Sequence, residues 1–285
     1  MAESAPRLGR KRVNNLIQRM YFFGLGAPLA AMLTLRSRLV RKNHQHFHVD
    51  SDGHWLNHEG DEVLVDRRVN TSSAAERHAI ARESFFPFYQ PTAGDIVIEA
   101  GAGIGEETVI LSKLVGSRGR VIAIEAQPET FACLKKTVEK SGCKNVTCLN
   151  IAIGGREGTI EIGDDQNHLG SSIVSGSSSA NRANVRLTTI DQVVADEGLT
   201  SVNFLKMNIE GAECEAIRGV QTCAPMIAHC AISCHDFLAD RGSNNEMRTL
   251  KEVSRLLREK GFEIRRIEDH RPWIRDYLYA SQVVR

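Results

Sequence analysis

From Asp95 onward, short apolar runs alternate with longer amphipathic stretches, and this pattern predicts strands and helices in turn. Strand Ile96–Ala100 precedes a helix over Glu106–Leu114. Strand Val121–Glu125 precedes a helix over Glu129–Ser141, with Pro128 at its start, where a missing N–H costs nothing. Val146–Ala152 and Gly158–Ile162 read as strands. Helix Thr189–Glu197 leads into strand Val202–Met207, and helix Ala212–Thr222 into strand Met226–Ser233. A long helix, Asn244–Lys260, stops at Gly261, a residue suited to a helix C-cap. Phe262–Ile267 and Tyr277–Val284 are the last strands, joined by a linker short enough for an antiparallel pair. The order predicts a doubly wound α/β sheet ending in an antiparallel hairpin.

Residues 1–85 read as an N-terminal extension and 86–285 as the main domain. In the extension, Phe47-His48-Val49 pairs with His54-Trp55-Leu56 across the turn Ser51-Asp52-Gly53, and Glu62–Val65 forms a further strand. Ala74–Phe86 reads as a helix leading to the main domain. Tyr21–Leu35 is an apolar run of fifteen residues with basic flanks. A membrane span needs about 20 residues, and Gly24, Gly26 and Pro28 weaken this one further. Two readings remain: a helix packed on the protein or in a dimer, and a peripheral membrane contact through residues 7–42. Asp164–Arg186 is rich in Ser, Asn and Gly and reads as a long loop over the site.

The chemistry begins at Glu99-Ala100-Gly101-Ala102-Gly103-Ile104-Gly105, where the first strand meets its helix. The glycines allow unusual backbone angles and close approach to a ligand. Glu125 follows at the end of the next strand, twenty residues after Gly105, placed to bind both hydroxyls of a ribose. Glu99, Gly101, Ala102, Gly103, Gly105, Glu125, Ala126 and Asn150 are therefore the candidate cofactor-binding residues. A dinucleotide fingerprint needs a third glycine at 106, but the helix opens Glu106-Glu107. Carboxylates there repel a pyrophosphate at the helix N-terminus. S-adenosylmethionine carries no phosphate and is positive at its sulfonium and amino groups, so it suits an acid-lined loop.

Charge narrows the partners. Nine of the 36 Lys and Arg lie in residues 1–45, against Glu3 alone, so the +1 chain has a basic start and an acidic body. Such a body argues against nucleic acid as the main substrate. The seven cysteines lack any Cys-x-x-Cys spacing and fall mostly on apolar positions. They read as free thiols in a reducing cytoplasm, which also suggests a cytoplasmic location. His44, His46, His48, His54 and His58 cluster on the hairpin, where imidazoles can bind a metal but are more often solvated; no metal is assigned.

Ligands in doubly wound sheets bind beyond the carboxyl ends of the strands. Those ends carry Glu99, Glu125, then Lys206-Met207-Asn208-Ile209-Glu210-Gly211-Ala212-Glu213, then Ser233-Cys234-His235-Asp236. With Gly94–Gly105, Val121–Pro128 and Thr189-Ile190-Asp191, these segments resemble the FkbM family of methyltransferases over roughly residues 85–235. The Ile-Glu-Gly-Ala-Glu block is the most specific part, because many methyltransferases share the glycine loop. The resemblance implies a seven-stranded, Rossmann-like sheet of the class I methyltransferase type. It also implies S-adenosylmethionine-dependent O-methylation of a hydroxyl on a sugar, glycan, lipid-linked or secondary-metabolite acceptor. The family usually has Asp at the position of Asn208 and often at that of Glu99; Glu99 keeps the charge and Asn208 loses it.

Methyl transfer to oxygen is an in-line displacement governed by positioning, yet an aliphatic hydroxyl must still lose its proton. His235 is the candidate general base, because imidazole titrates near working pH. Asp236 or Glu210 can orient it, and Lys206 can polarise the hydroxyl or pair with Glu210 or Glu213. His235, Asn208, Glu210 and Lys206 are thus the candidate catalytic residues. The alternatives are a non-catalytic cofactor-binding or membrane-associated scaffold, favoured by Asn208, and an NAD-dependent sugar-modifying enzyme, disfavoured by Glu106.

Overall fold

The computed structural model describes residues 26–163, 182–240, 242 and 245–282. The start of the apolar run at 21–25 and most of the expected loop at 164–181 lie outside them. Helix α1 (Gly26–Arg36) continues into a π-helical turn at Ser37–Arg41. Strands β1 (His46–Val49), β2 (Trp55–Glu59) and β3 (Glu62–Asp66) form an antiparallel sheet, with the expected hairpin closing where Val49 faces Trp55. Helix α2 (Ala74–Ser84) starts at a capping box, in which Ser73 and Glu76 each bind the other's backbone N–H.

The rest of the described chain runs β4 (Ile96–Ala100), α3 (Glu106–Val115), β5 (Arg120–Ile124), α4 (Pro128–Lys140), β6 (Val146–Leu149), β7 (Ala152–Ile153), β8 (Gly158–Gly163) and β9 (Arg182–Thr188). It continues through α5 (Ile190–Asp196), β10 (Val202–Met207), α6 (Glu213–Arg218), β11 (Ile227–Ser233), α7 (Asp236–Asp240), α8 (Leu250–Glu259), β12 (Phe262–Arg265), α9 (Pro272–Arg275) and β13 (Tyr277–Gln282). Seven strands form the main sheet in the order β12-β13-β11-β10-β4-β5-β6, and only β13 is antiparallel to its neighbours. Side chains alternate between the faces. Ile98, Ile122 and Leu205 lie on the side of α5, α6 and α8, whereas Val97, Val121 and Phe204 lie on the side of α2, α3 and α4.

The structure corrects several sequence expectations. Val146–Ala152 is not one strand: β6 ends at Leu149, and β7 leaves to join β9 and β8 in a separate small sheet. Residues 182–186, expected in the loop, belong to β9. The helix expected over Ala212–Thr222 ends at Arg218, because the Asp191 carboxylate takes the N–H groups of Gln221, Thr222 and Cys223. The helix expected from Asn244 starts at Leu250, where the Asp236 carboxylate accepts from the Thr249 and Leu250 N–H groups at 2.9 and 3.0 Å. Asp236 captures N–H donors at the start of a helix, whereas Asp191 captures N–H groups of the segment that follows one, and both act from a distance in sequence.

The N-terminal sheet braces the main one. Val63 and Val65 donate their N–H groups to Ser141 Oγ and Thr137 Oγ1 on and just beyond α4, which satisfies an edge strand with side chains. Leu64 packs with Ile104 of the glycine loop and Cys133 of α4. Buried Glu62 holds Arg77, His78 and Lys113 at 2.7–3.0 Å. Although burial pushes the Glu62 carboxyl up, those bonds outweigh it and bring it down to about 2.

Candidate active site at the switch point of the sheet

The sheet reverses its winding between β4 and β10, and the candidate residues gather at the carboxyl ends of those strands. The Asn208 N–H donates to the Ala100 carbonyl at 2.9 Å. Gly101 crosses this seam with φ +77°, and a Cβ there would meet the Asn208 carbonyl oxygen at 2.0 Å, so only glycine fits. The loop turns further at Gly103 (φ +57°) and Gly105 (φ +94°), and a Cβ on Gly103 would meet open space. The N–H groups of Gly101 and Ala102 both donate to Ile124, which ties the loop to β5.

Glu125 stands just past β5, and its carboxylate accepts from the Gly103 N–H at 2.9 Å and from the Gln127 N–H at 2.8 Å. The acid therefore does reach the glycine loop. Asn150 lies in the turn between β6 and β7 and donates to the carbonyls of Glu125 and Ala126 at 2.9 and 3.0 Å, so it fixes the backbone that carries the acid. Glu106 accepts from Asn70 at 2.8 Å, and its carboxyl is pushed up to about 7 by burial and by the Glu107 charge. This open turn lined with acids fits the cationic, phosphate-free S-adenosylmethionine better than a pyrophosphate.

Lys206 and Glu99 are brought together, not turned toward the rim. They face each other across β10 and β4, 1% and 0% exposed, with Nζ 3.1 Å from Glu99 Oε1. Nζ also donates to the Gly101 carbonyl at 2.9 Å, lies 3.5 Å from Glu107 and sits over the Phe85 ring. Thr108 donates to the other Glu99 oxygen at 2.6 Å. Burial pushes the Glu99 carboxyl up; against burial, the charges of Glu99 and Glu107 hold the Lys206 ammonium above its ordinary value. The expectation that Lys206 pairs with Glu210 or Glu213 is thus corrected: in the folded chain its partner is Glu99.

The rim pair is His235 and Glu213. His235, two residues beyond β11, is 5% exposed, and its Nδ1 lies 2.9 Å from Glu213 Oε1. Glu213 is fully buried and also accepts from the Gly211 N–H. Burial works to lower the His235 pKa, but the hydrogen bond and charge of Glu213 outweigh it, so the value is raised. Glu210 projects from a left-handed residue (φ +50°), a conformation that costs of order 1–3 kcal/mol outside glycine and gathers at functional sites. Its carboxyl is pushed up to about 8 by burial, against the pull of His235 and with the charges of Glu125 and Glu213 adding to the rise. Glu125 and His235 thus both act on the Glu210 carboxyl, with opposite sign. Asp236 does not orient His235, because its carboxylate caps α8. Asn208 is half-buried, and its side chain has no hydrogen bond among the described residues.

Sequence reasoning named Glu213 only as a possible partner of Lys206 and missed its contact with His235. The signal was present, since Glu213 closes the Ile-Glu-Gly-Ala-Glu block. In the hairpin, His48 and His58 stack at 4.9 Å, and His46 lies 6.0 Å from each. Among the described residues, one group brings potential metal-ligand atoms within 4.8 Å of one another: Asp50, Asp52 and His54. The Lys136 ammonium already contacts all three at 2.6–2.8 Å. All seven cysteines are free.

Comparison with known proteins places this geometry. The family model of the methyltransferase FkbM domain matches residues 99–264. Among curated proteins, a protein-L-isoaspartate O-methyltransferase of Methanococcus maripaludis is 43% identical over 53 residues, 19% of this chain and 25% of that protein. The Aeropyrum pernix protein of the same name is 33% identical over 66 residues, 23% of this chain and 25% of that one. The matches thus span about a quarter of those relatives. A crystal structure of methyltransferase FkbM from Methylobacillus flagellatus KT superposes with a TM-score of 0.50 at 15% identity, covering 73% of this chain and 50% of that one.

Proposed function

Because the chain belongs to the FkbM family of methyltransferases, whose cofactor is S-adenosylmethionine, we propose that it methylates a hydroxyl oxygen with His235 as general base. The acceptor class that suits this chemistry is a sugar, glycan, lipid-linked or secondary-metabolite hydroxyl. The observation that carries the proposal is the 2.9 Å contact between His235 Nδ1 and the buried Glu213 carboxylate. A carboxylate there keeps the proton of neutral imidazole on Nδ1 and leaves Nε2 with its lone pair. That nitrogen is then the site that accepts a hydroxyl proton, and Glu213 stabilises the resulting imidazolium. Glu125, held in place by Asn150, would grip the ribose of the cofactor, and the Gly101–Gly105 turn would lie along it. The cofactor supplies the electrophilic methyl group. Glu99 and Lys206 fix the loop from below and touch neither reactant in this reading.

The test is transfer of labelled methyl from S-adenosylmethionine into glycan, lipid and secondary-metabolite extracts, with each labelled product then treated with alkali. A methyl ether survives and is the expected product. A methyl ester hydrolyses, and label lost in that way replaces the hydroxyl reading with carboxyl methylation. Tight binding of S-adenosylhomocysteine with no transfer to any extract favours the scaffold alternative.

A further inference from the structure

Helix α1 carries apolar residues on two faces, and the described fold covers one of them. Gly26, Leu29, Ala30 and Leu33 are buried at the i, i+3, i+4, i+7 spacing of a helix face, and Leu29, Ala30 and Leu33 pack with Phe47, Trp55 and Val69. Pro28, Ala31, Met32 and Leu35 repeat that spacing on the other side and are exposed. Leu39 and Val40 extend the patch through the π-helical turn. Met32, Leu35, Leu39 and Val40 are 51%, 57%, 68% and 71% exposed, and only Ile80 and Phe88 join them as exposed large hydrophobics among the described residues. A helix that is apolar all round is normally enclosed by protein or lipid, and an exposed apolar patch marks a contact surface.

The segment is held in place. Thr34 Oγ1 accepts from the Phe47 N–H at 2.9 Å, Ser37 Oγ accepts from the Gln45 N–H at 2.6 Å, and Arg41 donates to the Thr71 carbonyl at 2.6 Å. The apolar tips are therefore presented from a fixed scaffold. Charge identifies what they meet. Arg36, Arg38 and Lys42 are exposed along the same stretch, and no Asp or Glu occurs between Gly26 and Val49. A second copy placed on this face by twofold symmetry would set these cations against one another. An anionic lipid surface accepts the apolar tips and the cations together. Among the described residues no helix is long and apolar enough to cross a membrane, so the contact that this face offers is a peripheral one.

We propose that Met32, Leu35, Leu39 and Val40 dock the protein peripherally on an anionic lipid surface, with Arg36, Arg38 and Lys42 at the level of the phosphates. The full chain is sedimented with vesicles of phosphatidylcholine alone and of phosphatidylcholine mixed with phosphatidylglycerol, at low and high salt. The expected result is binding about tenfold or more stronger to the anionic vesicles, weakened by salt. The Leu35→Glu/Leu39→Glu and Arg36→Glu/Arg38→Glu variants should each lose about tenfold or more of that binding. Affinity for S-adenosylhomocysteine and melting temperature in solution should hold, which separates lost docking from misfolding. Three outcomes overturn the proposal: a wild-type chain that stays in the supernatant with both vesicles; variants that sediment like wild type; or a wild-type dimer that Leu35→Glu/Leu39→Glu splits without any effect on vesicle binding.

Discussion

Two buried acid–base pairs stand at neighbouring strand ends, and they differ in what the fold leaves them free to do. Lys206 and Glu99 are sealed between β10 and β4, with the ammonium shared among Glu99, Glu107 and the Gly101 carbonyl. His235 and Glu213 are nearly as buried, but their cation is an imidazole with a second nitrogen, a group that ordinarily titrates near neutrality and whose pKa Glu213 raises against burial. The first pair holds a permanent charge whose donors are used up by the protein. The second can take and release a proton. Burial alone thus does not separate a structural pair from a chemical one; the number of donor and acceptor positions left over does.

The largest effect is expected where the sealed pair is broken. Lys206→Met leaves the Glu99 carboxylate without its cation in a site 0% exposed, a change that typically costs about 3–5 kcal/mol. Denaturant melts should show that loss, and Lys206→Met/Glu99→Leu should recover most of it, since an apolar replacement of the whole pair is often near neutral. A Lys206→Met protein that melts like wild type but turns over slowly would move Lys206 to the reacting atoms and erase the comparison.

The rim pair should respond in rate. His235→Ala should lower turnover on the order of 10²-fold or more at unchanged cofactor affinity, and full activity would make His235 structural. Glu213→Gln sharpens the comparison through pH. A base works unprotonated, so the rate rises with pH through the His235 pKa, which Glu213 holds above its ordinary value. Replacing Glu213 by a neutral amide removes that pull, so the rising limb should shift toward lower pH while maximal turnover falls. A limb that stays in place in Glu213→Gln would uncouple the two residues.

Much of this was legible in the sequence because it is local. The strands Ile96–Ala100 and Val202–Met207, the glycine loop and the Glu125 offset depend on neighbours in the chain, and all are where the pattern put them. The failures come from distant partners. Asp191 and Asp236 end or start helices by capturing N–H groups thirty or thirteen residues away, and no periodicity reports such a capture. Lys206 and Glu99 are 107 residues apart and meet only through the register of parallel strands. The Glu213 contact with His235 is of the same kind: both residues were visible as strand-end groups, but which acid faces the imidazole depends on the short α6 turning Glu213 inward.

The smallest effect is expected at the acid that belongs to neither pair. Glu125→Ala should weaken S-adenosylhomocysteine binding by about 1–3 kcal/mol, the cost of losing charge-assisted hydrogen bonds to a ribose, as read by calorimetric titration. Glu125 also holds the Gly103 N–H at 2.9 Å, so the alanine variant combines two losses. The other carboxylate oxygen holds the Gln127 N–H at 2.8 Å, so Glu125→Gln keeps an acceptor for only one of the two N–H groups, and melting temperature must be read beside affinity. Lost affinity at an unchanged melting temperature marks direct ribose contact, and lost affinity that tracks the melting temperature marks a loop-stabilising role. In both variants the Glu210 carboxyl should fall below about 8, since the Glu125 charge is one of the influences holding it up. Unchanged affinity in Glu125→Ala would remove this acid from the cofactor site and leave the rim pair as the sole chemical feature of the switch point.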